Sequence, residues 1–322
     1  MILALALSLA LPVINVEAQD PPPFKPKVPL TFATEARTVN LTVTARGVDG
    51  RLLKDLTSAD FTVYEDDKPQ RIRFFARVFD PSRSADEGQE DVPDPTAIDL
   101  GMLFDTSTSM AEVLKLSQNA AASFLESIPK ARALTTVFFD SDIRLSKYNS
   151  ESQQGLFDRI QKAKSGGDTL LRDAIAVYLS RISDDPGRKI VVIFTDGEDS
   201  KSLISISELK DLVRSSTVTI YPILFAGRYS DSAAGLQAKA LMRDLAELTG
   251  GEVFSPRTFK DLAPIYQGLL DELAAQYVIG YIPEQDPTPG EHRLRVEVER
   301  AGVKVRHRRG YSVAEPDKEE KK

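Results

Sequence analysis

Two unbroken apolar runs constrain this chain most, Leu100–Phe104 and Ile190–Phe194, and each stops at a polar, acid-bearing loop. Continuous apolar runs of this length mark strands buried on both faces, as in a parallel sheet covered by helices. In such open sheets ligands sit just beyond the carboxyl ends of the strands. The first run ends in Asp105-Thr106-Ser107-Thr108-Ser109 and the second in Thr195-Asp196-Gly197-Glu198-Asp199. Asp105, Ser107 and Ser109 thus bring one carboxylate and two hydroxyls to the place where ligands bind. All are hard oxygen donors, suited to magnesium or calcium and not to zinc or copper.

Each motif alone has an ordinary explanation. Asp and Ser satisfy free N–H groups at helix starts, and Asp-Gly is common turn chemistry. A third segment, Gly166-Gly167-Asp168-Thr169, precedes an apolar helical run through Ile175, Ala176 and Tyr178, where Thr169 or Asp168 reads equally well as a helix cap. Taken together, the three segments resemble the von Willebrand factor type A (VWA) domain with its metal-ion-dependent adhesion site. The resemblance covers about residues 97–273. It implies that Ser107, Ser109 and Thr169 contact a divalent metal, Mg2+ or else Mn2+ or Ca2+, while Asp105 and Asp196 hold its waters. The whole chain is similar to a secreted VWA-related family described mainly from Acidobacteria. There a small β segment precedes the domain and a Q-Y-V-x-G-Y strand follows it, matched here by Gln276–Tyr281.

Two positions depart from the pattern. Thr108 stands where glycine is common, at a position expected to point away from the metal. Asp168 adds an acid beside Thr169, expected to draw coordination towards carboxylate and to blunt affinity for an anionic partner. Three neutral hydroxyls would leave most of the cation's charge uncancelled. The expected further ligand is then an Asp or Glu carboxylate of a protein partner, and binding is favoured over catalysis.

At 322 residues the chain has room for two domains, and its 42% hydrophobic content supports ordinary cores. Cysteine is absent, which excludes disulfides, zinc–thiolate sites, cysteine nucleophiles and a lipid anchor on an N-terminal cysteine. The two histidines, His292 and His307, lie in charged C-terminal segments, far in sequence from Ser107 and Ser109. They read as solvated strand residues, so no Ser-His-Asp hydrolase is expected. A net charge of −7 argues against a nucleic-acid partner, and the basic run Arg306–Arg309 reads as an exposed strand face.

Met1–Val16 is apolar and too short for a comfortable span, so residues 1–18 read as a signal peptide, with an uncleaved anchor as the rival. No other stretch approaches the ~20 apolar residues of a membrane helix. The protein is expected to be secreted, or to reside in the periplasm or envelope of a bacterium. Residues 19–35 form a Pro-rich linker, 36–80 the first part of an accessory β domain and 81–96 an acidic linker. Residues 97–273 are the VWA domain, 274–313 the second part of the β domain, and 314–322 a charged tail expected to be disordered. Alternation in Thr38–Ala45, Asp60–Glu65, Gln70–Phe79, Gln276–Ile282, Arg293–Glu299 and Val303–Arg306 predicts strands too few on either flank to stand alone.

The expected fold is therefore α/β: a doubly wound, Rossmann-like, mostly parallel sheet inserted in a small all-β sandwich built from both flanks. Helices are predicted at about Ala111–Ile128, Ser152–Ala163, Leu170–Ile182, Ile204–Ser215, Gly235–Thr249 and Thr258–Gln276. Central strands are predicted at Ile98–Phe104, Ala133–Phe139, Ile190–Thr195, Val218–Phe225 and a short Glu252–Phe254, with Ile143–Lys147 as an antiparallel edge. Asp140-Ser141-Asp142 is assigned to turn chemistry.

Two rival functions stand beside metal-dependent binding. One is an exported scaffold whose metal site is only structural. The other is a phosphatase-like hydrolase, because Asp105 at a strand end is like the aspartyl nucleophile of haloacid-dehalogenase-like enzymes. That family needs a second aspartate two residues on, where this chain has Ser107. A subunit working with an AAA+ ATPase is disfavoured, since those act inside the cell.

Overall fold

The computed structural model describes residues 38–78, 96–127, 131–148, 153–182, 187–225, 232–284 and 287–313. The expected signal peptide, the Pro-rich linker, nearly all of the acidic linker and the charged tail lie outside them.

The N-terminal flank supplies β1 (Val39–Arg46), β2 (Phe61–Glu65), β3 (Lys68–Gln70) and β4 (Ile72–Arg77). The central region supplies β5 (Ile98–Asp105), β6 (Ala133–Phe139), β7 (Ile143–Tyr148), β8 (Arg188–Thr195) and β9 (Val218–Leu224). Its helices are α1 (Leu114–Ser127), α2 (Gln153–Lys162), α3 (Leu171–Leu179), α4 (Ile206–Ser215), α5 (Ala233–Thr249) and α6 (Leu262–Ala274). The C-terminal flank adds β10 (Tyr277–Tyr281), β11 (Gly290–Val298), β12 (Lys304–Arg306) and β13 (Gly310–Val313).

The central sheet has the order β7-β6-β5-β8-β9. β5, β6, β8 and β9 are parallel, and β7 is the antiparallel edge. Its two faces bury separate cores. Leu100, Met102, Phe104, Val192 and Phe194 pack under α1, α2 and α6, while Leu103, Val137, Val191 and Ile193 pack under α3, α4 and α5. Neighbours in one apolar run thus serve opposite faces, which is why both runs show no polar alternation. A capping box between Ser205 and Glu208 starts α4.

The flanks form two further sheets, β12-β1-β10-β4 and β13-β11-β2-β3. Each mixes strands from both ends of the chain: β10 lies between β1 and β4, and β11 between β13 and β2. Leu41, Val43, Val63, Ile279, Leu294 and Val296 from both sheets share one core. The expected α/β fold, with the parallel sheet inserted in a sandwich, is the fold observed.

Details differ from the expectation. The stretch Gln70–Phe79 is not one strand: β3 pairs with β2 and β4 with β10, so the chain changes sheets at Arg71. The short strand at Glu252–Phe254 reduces to a single bridge between Ile223 and Phe254. β13 was not anticipated. Among the described residues no helix is long and apolar enough to cross a membrane.

Candidate metal centre

β5 and β8 are adjacent and parallel, so their carboxyl ends carry Asp105 and Thr195-Asp196 to the same edge of the sheet. Asp105 is fully buried and each of its oxygens accepts hydrogen bonds. The Ser107 hydroxyl donates to Oδ1 at 2.5 Å and the Ser107 N–H at 2.9 Å, while Thr195 Oγ1 donates to Oδ2 at 2.6 Å. Ser107 Oγ lies 3.0 Å from Ser109 Oγ. Ser107 occupies the N-cap position of the short 3-10 turn Thr108–Glu112, yet its side chain makes no capping bond. Its hydroxyl is turned to Asp105 and Ser109 instead, which removes the capping explanation for this residue.

The second loop is fastened to the first and the third through its backbone. The Thr108 N–H and hydroxyl both donate to Gly167 O, at 3.1 and 2.8 Å, and the Gly166 N–H donates to Thr106 O at 2.9 Å. The N–H groups of Ser200 and Lys201 donate to Thr169 O, and Ser200 Oγ accepts from the Thr169 N–H at 3.0 Å. Gly167 has φ +78°, and a Cβ there would meet Ser141 Oγ at 2.5 Å, so the tight approach needs glycine. Thr169 is buried and Asp168 exposed, and the N-cap of α3 is Leu170, so neither is the helix cap. The exposed Thr108 ties two loops together on the outer side. Ser141 accepts from the Asp168 N–H, and Asp140 accepts from the Asp142 N–H, as turn residues do.

Electrostatics mark the site as strained. Burial, and then the charge of Asp196, push the Asp105 carboxyl up to about 7. Burial also raises Asp196, against the Glu198 N–H that bonds Oδ1 at 3.1 Å and the nearby Ser109 hydroxyl. Asp196 Oδ2 is buried and completes no hydrogen bond. Glu198 is raised as well, by burial and by Asp196. Two buried carboxylates, two hydroxyls and an orphaned carboxylate oxygen form an all-oxygen donor set carrying negative charge, which fits a hard divalent cation.

Thr195 was not among the predicted site residues, although it sets the orientation of Asp105 and accepts the Gly197 N–H at 2.9 Å. Its place directly after an apolar run, as the last residue of β8, is its sign in the sequence.

The histidines overturn the expectation of solvated residues. His292 is buried, with Nδ1 2.8 Å from Asp66 Oδ2 and Nε2 2.8 Å from Thr288 O. Glu65, Asp66 and His292 bring ligand atoms within 4.8 Å of one another. Both ring nitrogens face acceptors, however, an arrangement that favours the doubly protonated ring, which has no lone pair for a metal. Burial opposes that charge, but the Thr288 carbonyl, Asp66 and Glu65 outweigh it and hold the pKa above 6.5. His307 is the opposite case: its Nε2 accepts from the Val296 N–H and burial lowers its pKa. Nor is Arg306–Arg309 an exposed face, since Arg308 is buried and Arg306 pairs with Glu252 and Glu272.

Residues 101–198 match the family model of the von Willebrand factor type A domain, from within β5 to just past Asp196. This stretch, about a third of the chain, thus matches a VWA domain and lies in the part set within the sandwich. Among solved structures it is similar to a von Willebrand factor type A protein from Catenulispora acidiphila, with 10% identity and a TM-score of 0.47 over 88% of this chain and 76% of that one. It is similar to the conserved hypothetical protein BatB from Bacteroides thetaiotaomicron, with 10% identity and a TM-score of 0.42 over 54% of this chain and 97% of that one. It is also similar to proximal thread matrix protein 1 of the mussel byssus, with 21% identity and a TM-score of 0.42 over 58% and 48%. No curated protein matches the chain.

Proposed function

We propose that this is an exported bacterial protein that binds a divalent cation, Mg2+ or else Mn2+ or Ca2+, and through it an acidic residue of a protein partner. Ser107, Ser109 and Thr169 would hold the ion, with Asp105 and Asp196 supporting them. The bound cation supplies an open coordination position for a carboxylate oxygen. The observation that carries this reading is Asp196 Oδ2, a buried acid oxygen without a partner beside a second buried carboxylate. The VWA domain supports the same reading at the level of class, as a module for metal-dependent protein interaction. We take residues 36–80 and 274–313 as the accessory β domain and 97–273 as the inserted one.

A hydrolase reading is disfavoured on the geometry of Asp105. Its oxygens are engaged by Ser107 and Thr195 and buried, so the carboxylate is not free to attack a substrate.

Isothermal titration of magnesium, then of manganese and calcium, into the full chain tests the site. Saturable binding that falls at least about tenfold in Ser107→Ala/Ser109→Ala is expected. Absence of binding in the wild type overturns the reading. A pull-down from envelope extracts with and without chelator then separates the two binding roles. Partners lost with chelator support adhesion through the ion, and partners captured regardless assign a scaffold with a structural metal.

A further inference from the structure

One hollow of about 360 Å³ opens one strand away from the cation site and is lined by Thr106, Phe138, Arg144, Arg159, Lys162 and Lys164. In a chain of net charge −7, four cations around one hollow stand against the background. Their charges are unequally cancelled. Arg144 is held by Asp140 at 2.5 Å, and Lys162 by the exposed Asp158 at 3.1 Å, where solvent screens the pair. Lys162 also sits in the last turn of α2, where the helix dipole takes up part of its charge. Arg159 is different. Its Nη1 donates to Ser146 Oγ at 2.7 Å and reaches Tyr148 OH at 3.4 Å, and its guanidinium lies 4.5 Å from the Phe138 ring centroid. These are neutral partners: they fix the side chain in place and leave its charge intact. Its other N–H donors make no hydrogen bond among the described residues. Lys164 is exposed and likewise faces no carboxylate among them. A guanidinium positioned in advance, with spare planar donors, is the group that recognises carboxylates best.

The hollow and the cation site share a wall. Thr106 directly follows Asp105, and its Oγ1 lies 3.4 Å from Arg144 Nη2. Asp105 on β5 pairs with Phe139 on β6, and adjacent strands are about 4.8 Å apart. Side chains two residues apart in an extended segment are separated by about 7 Å, more than one strand spacing, so a segment of that kind is long enough to reach across the shared wall.

We propose that this hollow is a second subsite for an acidic protein segment: one carboxylate goes to the cation and another, two to four residues along, goes to Arg159 and Lys164. This rests on the cation reading above and adds the partner's chemistry, a segment with paired acids. It also accounts for how an otherwise acidic protein can attract an acidic ligand at one place on its surface.

Fluorescence anisotropy on the full chain tests it, with labelled hexa-aspartate compared with a glycine peptide carrying a single Asp, in magnesium and in EDTA. In magnesium, hexa-aspartate should bind about tenfold or more tightly than the single-Asp peptide. Arg159→Gln/Lys164→Gln should erase that advantage and leave single-Asp binding unchanged. Lys164→Gln alone, at an exposed position, should erase part of it without a fold defect. Ser107→Ala/Ser109→Ala should weaken both peptides. An advantage that survives the loss of both cations overturns the subsite, as does polygalacturonate binding in place of hexa-aspartate. Magnesium-independent hexa-aspartate binding that Arg159→Gln/Lys164→Gln still abolishes upholds the subsite and overturns the cation reading instead.

Discussion

Asp196 places a buried, unpartnered carboxylate oxygen beside the buried carboxyl of Asp105. A buried polar atom left unsatisfied costs about 1–3 kcal/mol. Asp196→Asn keeps the shape and removes one of two like charges. In EDTA the variant should be more stable than the wild type by about 1–2 kcal/mol, whereas saturating magnesium should stabilise the wild type by about 2–3 kcal/mol and leave the variant unmoved. Melting curves with and without the ion would show the two proteins change order; a variant less stable in EDTA refutes the strain. His292 gives a second residue-level test. Its pKa lies above 6.5 in the folded protein, so folding retains a proton that the unfolded chain releases near that value. The stabilisation is complete below pH 6.5 and fades as pH rises through the raised folded value. His292→Gln should therefore cost about 1.5–3 kcal/mol at acid pH and distinctly less on the alkaline side. Thermal melts of both proteins at about pH 5.5 and about pH 8.5 measure the gap, and a gap that widens with pH contradicts the imidazolium.

Elements in this fold are positioned by close approach as much as by apolar area. Gly101, in the middle of β5, lies under Tyr178 of α3, and a Cβ there would sit 2.4–2.5 Å from the tyrosine ring. The strand that ends in Asp105 and the helix that follows Thr169 are thereby set against each other, so this contact fixes the spacing of two site loops. Gly101→Ala should cost about 1–3 kcal/mol by overpacking. Tyr178→Ala should cost its own cavity, and the double variant should cost less than the sum of the two, read by urea unfolding. Additive losses would show that the ring does not set the spacing. Much of this layer of structure was legible beforehand, because buried strands and amphipathic helices leave opposite signatures. The helices lie within a few residues of their expected positions, and the loops carrying Asp105 and Asp196 do end buried strands. What could not be read was partnership. Alternation across Gln70–Phe79 says which side chains point inward but not into which sheet, and the chain switches sheets there. The hydroxyl that orients Asp105 comes from Thr195, ninety positions away, a closure that no local pattern records. His292 was legible in principle: it shares its strand face with Leu294 and Val296, both buried, but its charged neighbours suggested solvent.

At the scale of the molecule, the inserted domain must leave the sandwich and return to it, and one side chain closes that neck. Arg188, at the start of β8, donates from Nε to Thr96 O at 3.0 Å. From Nη1 it donates to Leu273 O at 2.8 Å and to Gln276 Oε1 at 2.7 Å. Thr96 precedes β5 and Gln276 precedes β10, so the guanidinium ties the strand leading in to the strand leading out. The network continues without a break: Gln276 Nε2 donates to Tyr221 OH, Tyr221 OH donates to Glu272 Oε1, and Glu272 receives Arg46 of β1 and Arg306 of β12. Glu272 is 1% exposed, while Arg46 and Arg306 are only part-buried and also face Glu252. Deleting Glu272 removes the buried half of their counter-charge and the acceptor of Tyr221, which costs about 3 kcal/mol. Glu272→Ala should lower the melting temperature on the order of 10 °C, and Glu272→Gln, which keeps a hydrogen-bonding group at the same place, should lower it less. Calorimetry distinguishes coupling from simple loss of stability. If the buried network joins sandwich and inserted domain into one cooperative unit, the wild type melts in a single transition that magnesium moves as a whole. In Glu272→Ala the transition should then split, and magnesium should move only the component belonging to the inserted domain. Two transitions in the wild type, with only one responding to the ion, would show that the domains melt independently and that the network binds them without coupling them.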